Sequence, residues 1–124
     1  MGEQSRSIVS VLKDPALTRF YVTMIPEELP VTEGLELARD IQGEMEQIPE
    51  LIFNRYLESP LTVEQLRRFE GHEFADYLAV LLERQAGTRR QAEGRGMPLR
   101  LLPWIFTNNV PEKIRLLAAA LEPS

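Results

Sequence analysis

The sequence predicts an α/β fold on a parallel sheet, and three observations carry that prediction. Short runs of strand formers, Phe20 to Ile25, Leu51 to Phe53 and Leu99 to Leu102, recur along the chain. Segments with apolar residues at helical spacing separate them. The run Phe20 to Ile25 is nearly continuously apolar instead of alternating, the pattern of a parallel strand covered on both faces.

The elements follow in order. Ile8, Val9, Val11 and Leu12 mark the end of an amphipathic helix, which Asp14-Pro15 terminates because proline disfavours the helical conformation in the residue before it. Phe20 to Ile25 is the first strand and Pro26 stops it. Val31, Leu35, Ala38, Ile41 and Met45 then recur at helical spacing, with Thr32 as the expected N-cap and Glu33 and Glu36 favoured by the helix dipole. Leu51-Ile52-Phe53 is the second strand, ending at Asn54-Arg55 and completing a βαβ unit.

Thr62-Val63-Glu64-Gln65 fits a capping box, and Phe74, Tyr77, Leu78, Leu81 and Leu82 form the core stripe of a further helix, separated from the first by Gly71. Residues Gly87 to Gly96 lack an apolar stripe, contain glycines, and are expected to form a mobile loop. After the third strand, Asn109-Val110-Pro111-Glu112 opens a last helix, with Ile114, Leu117, Ala118 and Leu121 expected to face the core before Pro123 closes it.

Composition narrows the function classes. With 124 residues, 44% hydrophobic and 27% charged, the chain fits one modest globular unit. A net charge of -5 gives no broad attraction to nucleic acid or anionic lipid, so no nucleic-acid partner is expected. The absence of cysteine excludes a disulfide framework, a thiolate zinc site and a cysteine nucleophile, and suits a reducing cytoplasm. No apolar run is long enough to cross a bilayer, and the expected location is cytoplasmic.

In a parallel α/β sheet, ligands bind beyond the carboxyl ends of the strands, and the residues there carry a resemblance. Asp14-Pro15, Thr18-Arg19-Phe20, Val22, Ile25-Pro26-Glu27, Leu29, Glu33 and Leu37 look like a late strand-loop-helix of the ArsA anion-pump ATPases and their tail-anchored-protein-targeting relatives. Leu51-Ile52-Phe53-Asn54-Arg55 resembles that family's next strand with its terminal asparagine, and Met97 to Pro103 resembles its last strand. The match covers Asp14 to Tyr56 well and Met97 to Leu121 moderately, whereas Glu58 to Arg95 matches only in position, as a helical insertion.

The resemblance implies the C-terminal part of a doubly wound, mostly parallel sheet of about three strands, divided into residues 1–56, a helical insertion at 57–96, and a last strand and helix at 97–124. It implies ATP as ligand, with Asn54 and Arg55 and then Pro103 and Trp104 on the adenine side. A carboxamide presents a donor and an acceptor to a base edge, and flat apolar surface favours stacking by roughly 1 to 3 kcal/mol. Asn54 also suits a strand-end turn, and Trp104 also suits core packing. The expected function is the ATP-binding portion of an ATPase coupling nucleotide state to anion transport or membrane-protein handling. A non-catalytic interaction module derived from that fold is the alternative.

Departures from the family pattern shape the expected partners. No glycine-rich loop ends in Gly-Lys-Ser/Thr, so the β- and γ-phosphates and Mg2+ would be held by a missing N-terminal ATPase part or another subunit. No catalytic residue is assigned to this chain. The zinc-binding cysteine pair of the targeting branch is absent, and the text Trp104 to Asn109 departs from the family's and lacks its acidic residue. The unprotected run Phe20 to Ile25 implies a missing neighbour or a homo-oligomer. A transporter or membrane-protein partner follows from the resemblance alone.

Other constellations admit a plainer alternative. Glu27 and Glu28 suit a partner contact or a solvated loop. His72 has no metal-ligand companions and suits an exposed helix position. Arg84, Arg89, Arg90 and Arg95 suit an acidic partner or a solvated segment, and the Phe74 stripe suits a client groove or packing on the sheet.

Overall fold

All three apolar runs fold into strands, and the chain is a mixed α/β protein with an open, all-parallel three-stranded sheet in the order β1-β2-β3. The computed structural model describes residues 3–69 and 71–122, so the expected stop at Pro123 lies outside the described residues. The elements are α1 (Glu3–Lys13), β1 (Tyr21–Met24), α2 (Glu28–Met45), β2 (Glu50–Tyr56), α3 (Val63–Arg67), α4 (Glu73–Glu93), β3 (Leu99–Pro103) and α5 (Val110–Leu121). Both crossovers between adjacent parallel strands obey one handedness, so α2 and α4 lie on the same face of the sheet. The shared core agrees: Val22, Met24, Leu51 and Phe53 of the strands pack with Val31, Leu35 and Ala38 of α2 and with Ala92 of α4.

Alternation sends the intervening residues to the opposite face, where α5 is the helix that packs against β3. Arg100 anchors it there, bonding the Leu121 carbonyl while pairing with Glu50 at 2.8 Å. Coverage on this side is partial. Ile52 and Leu102 are buried, yet Tyr21 is 52% exposed and Thr23 is exposed. The expectation that β1 is covered on both faces is therefore corrected: α2 covers one, and nothing among the described residues seals the other. No residue of α5 is buried, which corrects the core role expected for Ile114, Leu117, Ala118 and Leu121.

The helices differ from expectation where tertiary contacts outweigh local signals. α2 starts at Glu28 with Glu27 as N-cap, and Thr32 lies inside it, its hydroxyl donating to the Glu28 carbonyl at 2.9 Å. The capping box at Thr62 and Gln65 forms as expected, and Gly71, at φ 79, supplies the left-handed break between α3 and α4. α4 runs on through Gly87 to Glu93, so the predicted mobile loop shrinks to the residues after it. The reason is burial: Thr88 and Ala92 are buried in those final two turns, and Arg89 pairs with Glu93 at 2.8 Å beside the Tyr56 ring. The buried side of α4 is Ala75, Ala79, Gln85, Thr88 and Ala92, not the predicted stripe. Leu78 and Leu82 pack against the small cluster of Leu66, Ala75 and Ala79, while Phe74 and Tyr77 stay exposed.

Among the described residues, no helix is long and apolar enough to cross a membrane.

Candidate functional site

A cleft of about 1140 Å³ opens at the carboxyl end of the sheet. The β1–α2 turn (Ile25 to Glu28), Arg55 and Trp104 border it on the strand side, and one flank of α4 closes it. Tyr77, Val80 and Leu81 give that flank an apolar surface, and Asp76, Arg84 and Gln91 make its polar rim. Two of its polar residues are already occupied. The Gln85 amide clasps the backbone of Leu57, accepting from N–H and donating to C=O, both at 2.8 Å, and the Thr88 hydroxyl donates to the Gln85 carbonyl. Gln85 thus ties α4 to the end of β2.

The four residues predicted on the base side are brought to one end of the sheet, though not all to the cleft. Tyr56 pairs with Pro103, and the Trp104 N–H donates to the Tyr56 carbonyl at 3.0 Å, so the ladder carries β2 and β3 to a common end. Trp104, 41% exposed, and Arg55 border the cleft, and the Trp104 ring stacks on Phe106 with centroids 5.2 Å apart. Asn54 and Pro103 are half-buried and do not border the cleft. Asn54 Oδ1 accepts from the Arg55 N–H at 3.0 Å, leaving its amide nitrogen and a second oxygen lone pair for other partners.

The remaining candidates separate cleanly. Glu27 and Glu28 border the cleft at the start of α2, and Arg84 borders it from α4. Arg89 is drawn away to Glu93 and Tyr56. Its guanidinium is held above its ordinary value by the bond to Glu93 first and to Tyr56 second, and so stays a cation. His72 is exposed but serves as the N-cap of α4, Nδ1 accepting from the Ala75 N–H at 3.4 Å. Among the described residues no cluster of acidic, histidine or cysteine side chains has the makings of a metal site.

Asp76, Val80, Gln85, Thr88 and Gln91 border the cleft without having been singled out in the sequence, and Tyr77 entered only through the Phe74 stripe, as client groove or core. The signal for Tyr77 was present but pointed elsewhere, because its place in an apolar stripe reads as core. Comparison of the chain with protein-family models and with curated proteins returns no match.

Proposed function

We propose that this chain is the adenine-binding side of an ArsA-like P-loop ATPase, in which nucleotide state moves the α3–α4 helical pair for anion transport or membrane-protein handling. The observation that carries the reading is the Tyr56–Pro103 pairing, which draws Asn54, Arg55, Pro103 and Trp104 to one carboxyl end of a parallel sheet. That is where α/β proteins take their ligands. Trp104 offers an exposed indole face, and the free donor of Asn54 suits a ring nitrogen of adenine. The sequence contains no Gly-Lys-Ser/Thr phosphate loop, so hydrolysis and Mg2+ binding in this reading belong to another segment or subunit, and the setting is cytoplasmic.

The test is an adenosine and ATP titration of the chain followed by NMR, with the Trp104 indole as reporter. Saturable shifts at Trp104 and at the Asn54 amide are expected. Asn54→Ala weakens both ligands by about 1 to 3 kcal/mol, since one base edge loses its partner. Unchanged spectra at millimolar ligand would refute the reading.

The partly bare face of the sheet favours a second reading, a non-catalytic interaction module. Tyr21, Val110 and Ile114 are each more than half exposed there or on the helix beside it. This reading predicts complexes whose affinity is indifferent to adenosine.

A further inference from the structure

Phe53 pairs with Leu101 and Tyr56 with Pro103, so Asn54 and Arg55 together stand opposite the single residue Leu102. Two residues facing one define a β-bulge, a feature concentrated beside functional sites because it re-aims a side chain. The next core-facing position after Phe53 in a regular strand is residue 55. Here the bulge gives that place to Tyr56, whose ring stacks on Phe53 at 6.2 Å, and leaves Arg55 exposed at the cleft.

This arrangement carries a local strain. Arg55 sits at φ 55, a left-handed conformation that disfavours residues with a Cβ and that glycine adopts freely. A long cation occupies the position instead, and Asn54 supports it by accepting the Arg55 N–H. Arg55 takes part in none of the ion pairs among the described residues. Strain held at a bulge that presents an unpaired guanidinium beside an exposed indole points to a ligand.

We propose that Arg55 is the specificity-determining contact for the α-phosphate of the nucleotide, separating nucleotides from nucleosides; this rests on the base-site reading above. The guanidinium fork matches two phosphate oxygens. Glu27, Glu28 and Asp76 border the same cleft against the cations Arg55 and Arg84, so it has no net positive charge to draw in a free anion, and a phosphate is favoured there when its base is anchored on Trp104. The ligand class in this proposal is therefore a purine nucleotide, with inorganic phosphate alone expected to bind more weakly.

The experiment titrates the chain with adenosine, AMP and inorganic phosphate by NMR, in the unaltered protein and in Arg55→Gly and Arg55→Lys. Glycine keeps the backbone conformation, so the bulge survives while the cation is lost. The unaltered chain is expected to bind AMP roughly tenfold more tightly than adenosine, the size of one charge-assisted hydrogen bond. In Arg55→Gly AMP falls to the adenosine level, and Arg55→Lys keeps part of the preference because a point charge lacks the fork. An AMP preference that survives in Arg55→Gly, equal binding of AMP and adenosine by the unaltered chain, or phosphate binding as tight as that of AMP would overturn the assignment while leaving the base site standing. Failure of both adenosine and AMP to bind overturns the base-site reading and this inference with it.

Discussion

The two faces of the sheet are built from the same strands and have different fates. On the α2–α4 side, Leu51 and Phe53 are fully buried, with Val22 and Met24 close behind, and long helices seal them with valine, leucine and alanine. On the α5 side, Ile52 and Leu102 are buried, yet Tyr21 and Thr23 lie open and the covering helix has no fully buried residue, only the half-buried Leu117 and Ala120. Strand hydrophobicity thus sets what a face can contribute, and the area of helix laid upon it sets what it does contribute. Stability should reside in the first face, and association in the second.

The largest expected effect tests that division directly. Phe53→Ala, at a fully buried position, should lose about 3 to 5 kcal/mol in urea unfolding, a large share of a small protein's stability, whereas Ile114→Ser on exposed α5 should change it by about 0.5 kcal/mol or less. Comparable losses at both positions would show that the α5 face is as well sealed as the other. A smaller effect is expected where α4 is tied to β2. Gln85→Ala strips Leu57 of both its hydrogen-bond partners, and about 1 to 3 kcal/mol should be lost, with faster amide exchange at Leu57 as the signature. An unchanged exchange rate would mean that α4 is held by apolar packing alone.

The smallest effect on stability, and the sharpest on association, is expected at the outer edge of β1. The Phe20 carbonyl accepts from the Glu50 N–H, so by parallel alternation Tyr21 and Thr23 direct their backbone groups away from β2. The strand carries no lysine, proline or bulge that would discourage edge pairing. Light scattering across a concentration series should show self-association of the chain, reduced in Thr23→Lys at nearly unchanged unfolding midpoint. A monomer at all concentrations would remove the edge as an adhesive surface.

Several parts of this molecule were legible in the residues because their causes are local. The strands announced themselves through apolar runs, the turns through Asp14-Pro15 and Gly71, and the helix starts through the Thr62 capping box and Asn109. The placement of Asn54, Arg55, Pro103 and Trp104 toward the carboxyl ends of the strands followed from the same punctuation, although β2 runs on past the expected end at Asn54-Arg55 to Tyr56. The bulge at Asn54-Arg55 did not, since it depends on the register between β2 and β3, and register belongs to pairing, not to either strand.

Tertiary contacts decided the remainder. Residues Gly87 to Glu93 lack an apolar stripe, though Arg89 to Glu93 are good helix formers, and the helix runs on through Gly87 because Thr88 and Ala92 find burial and Arg89 finds Glu93 and Tyr56. The apolar stripes of α4 and α5 are plain in the sequence, but a stripe states only that burial would be favourable. Whether Phe74, Tyr77 or Ile114 is buried depends on whether another element reaches it, and in this fold none among the described residues does. The sequence by itself determined the alternation of strands and helices and the chemistry at the strand ends, because propensity, capping and turn formation act within a few residues. The bordering of the cleft by Arg55 and Trp104, with Asn54 behind it, was decided by long-range strand pairing and helix docking, which no local pattern encodes.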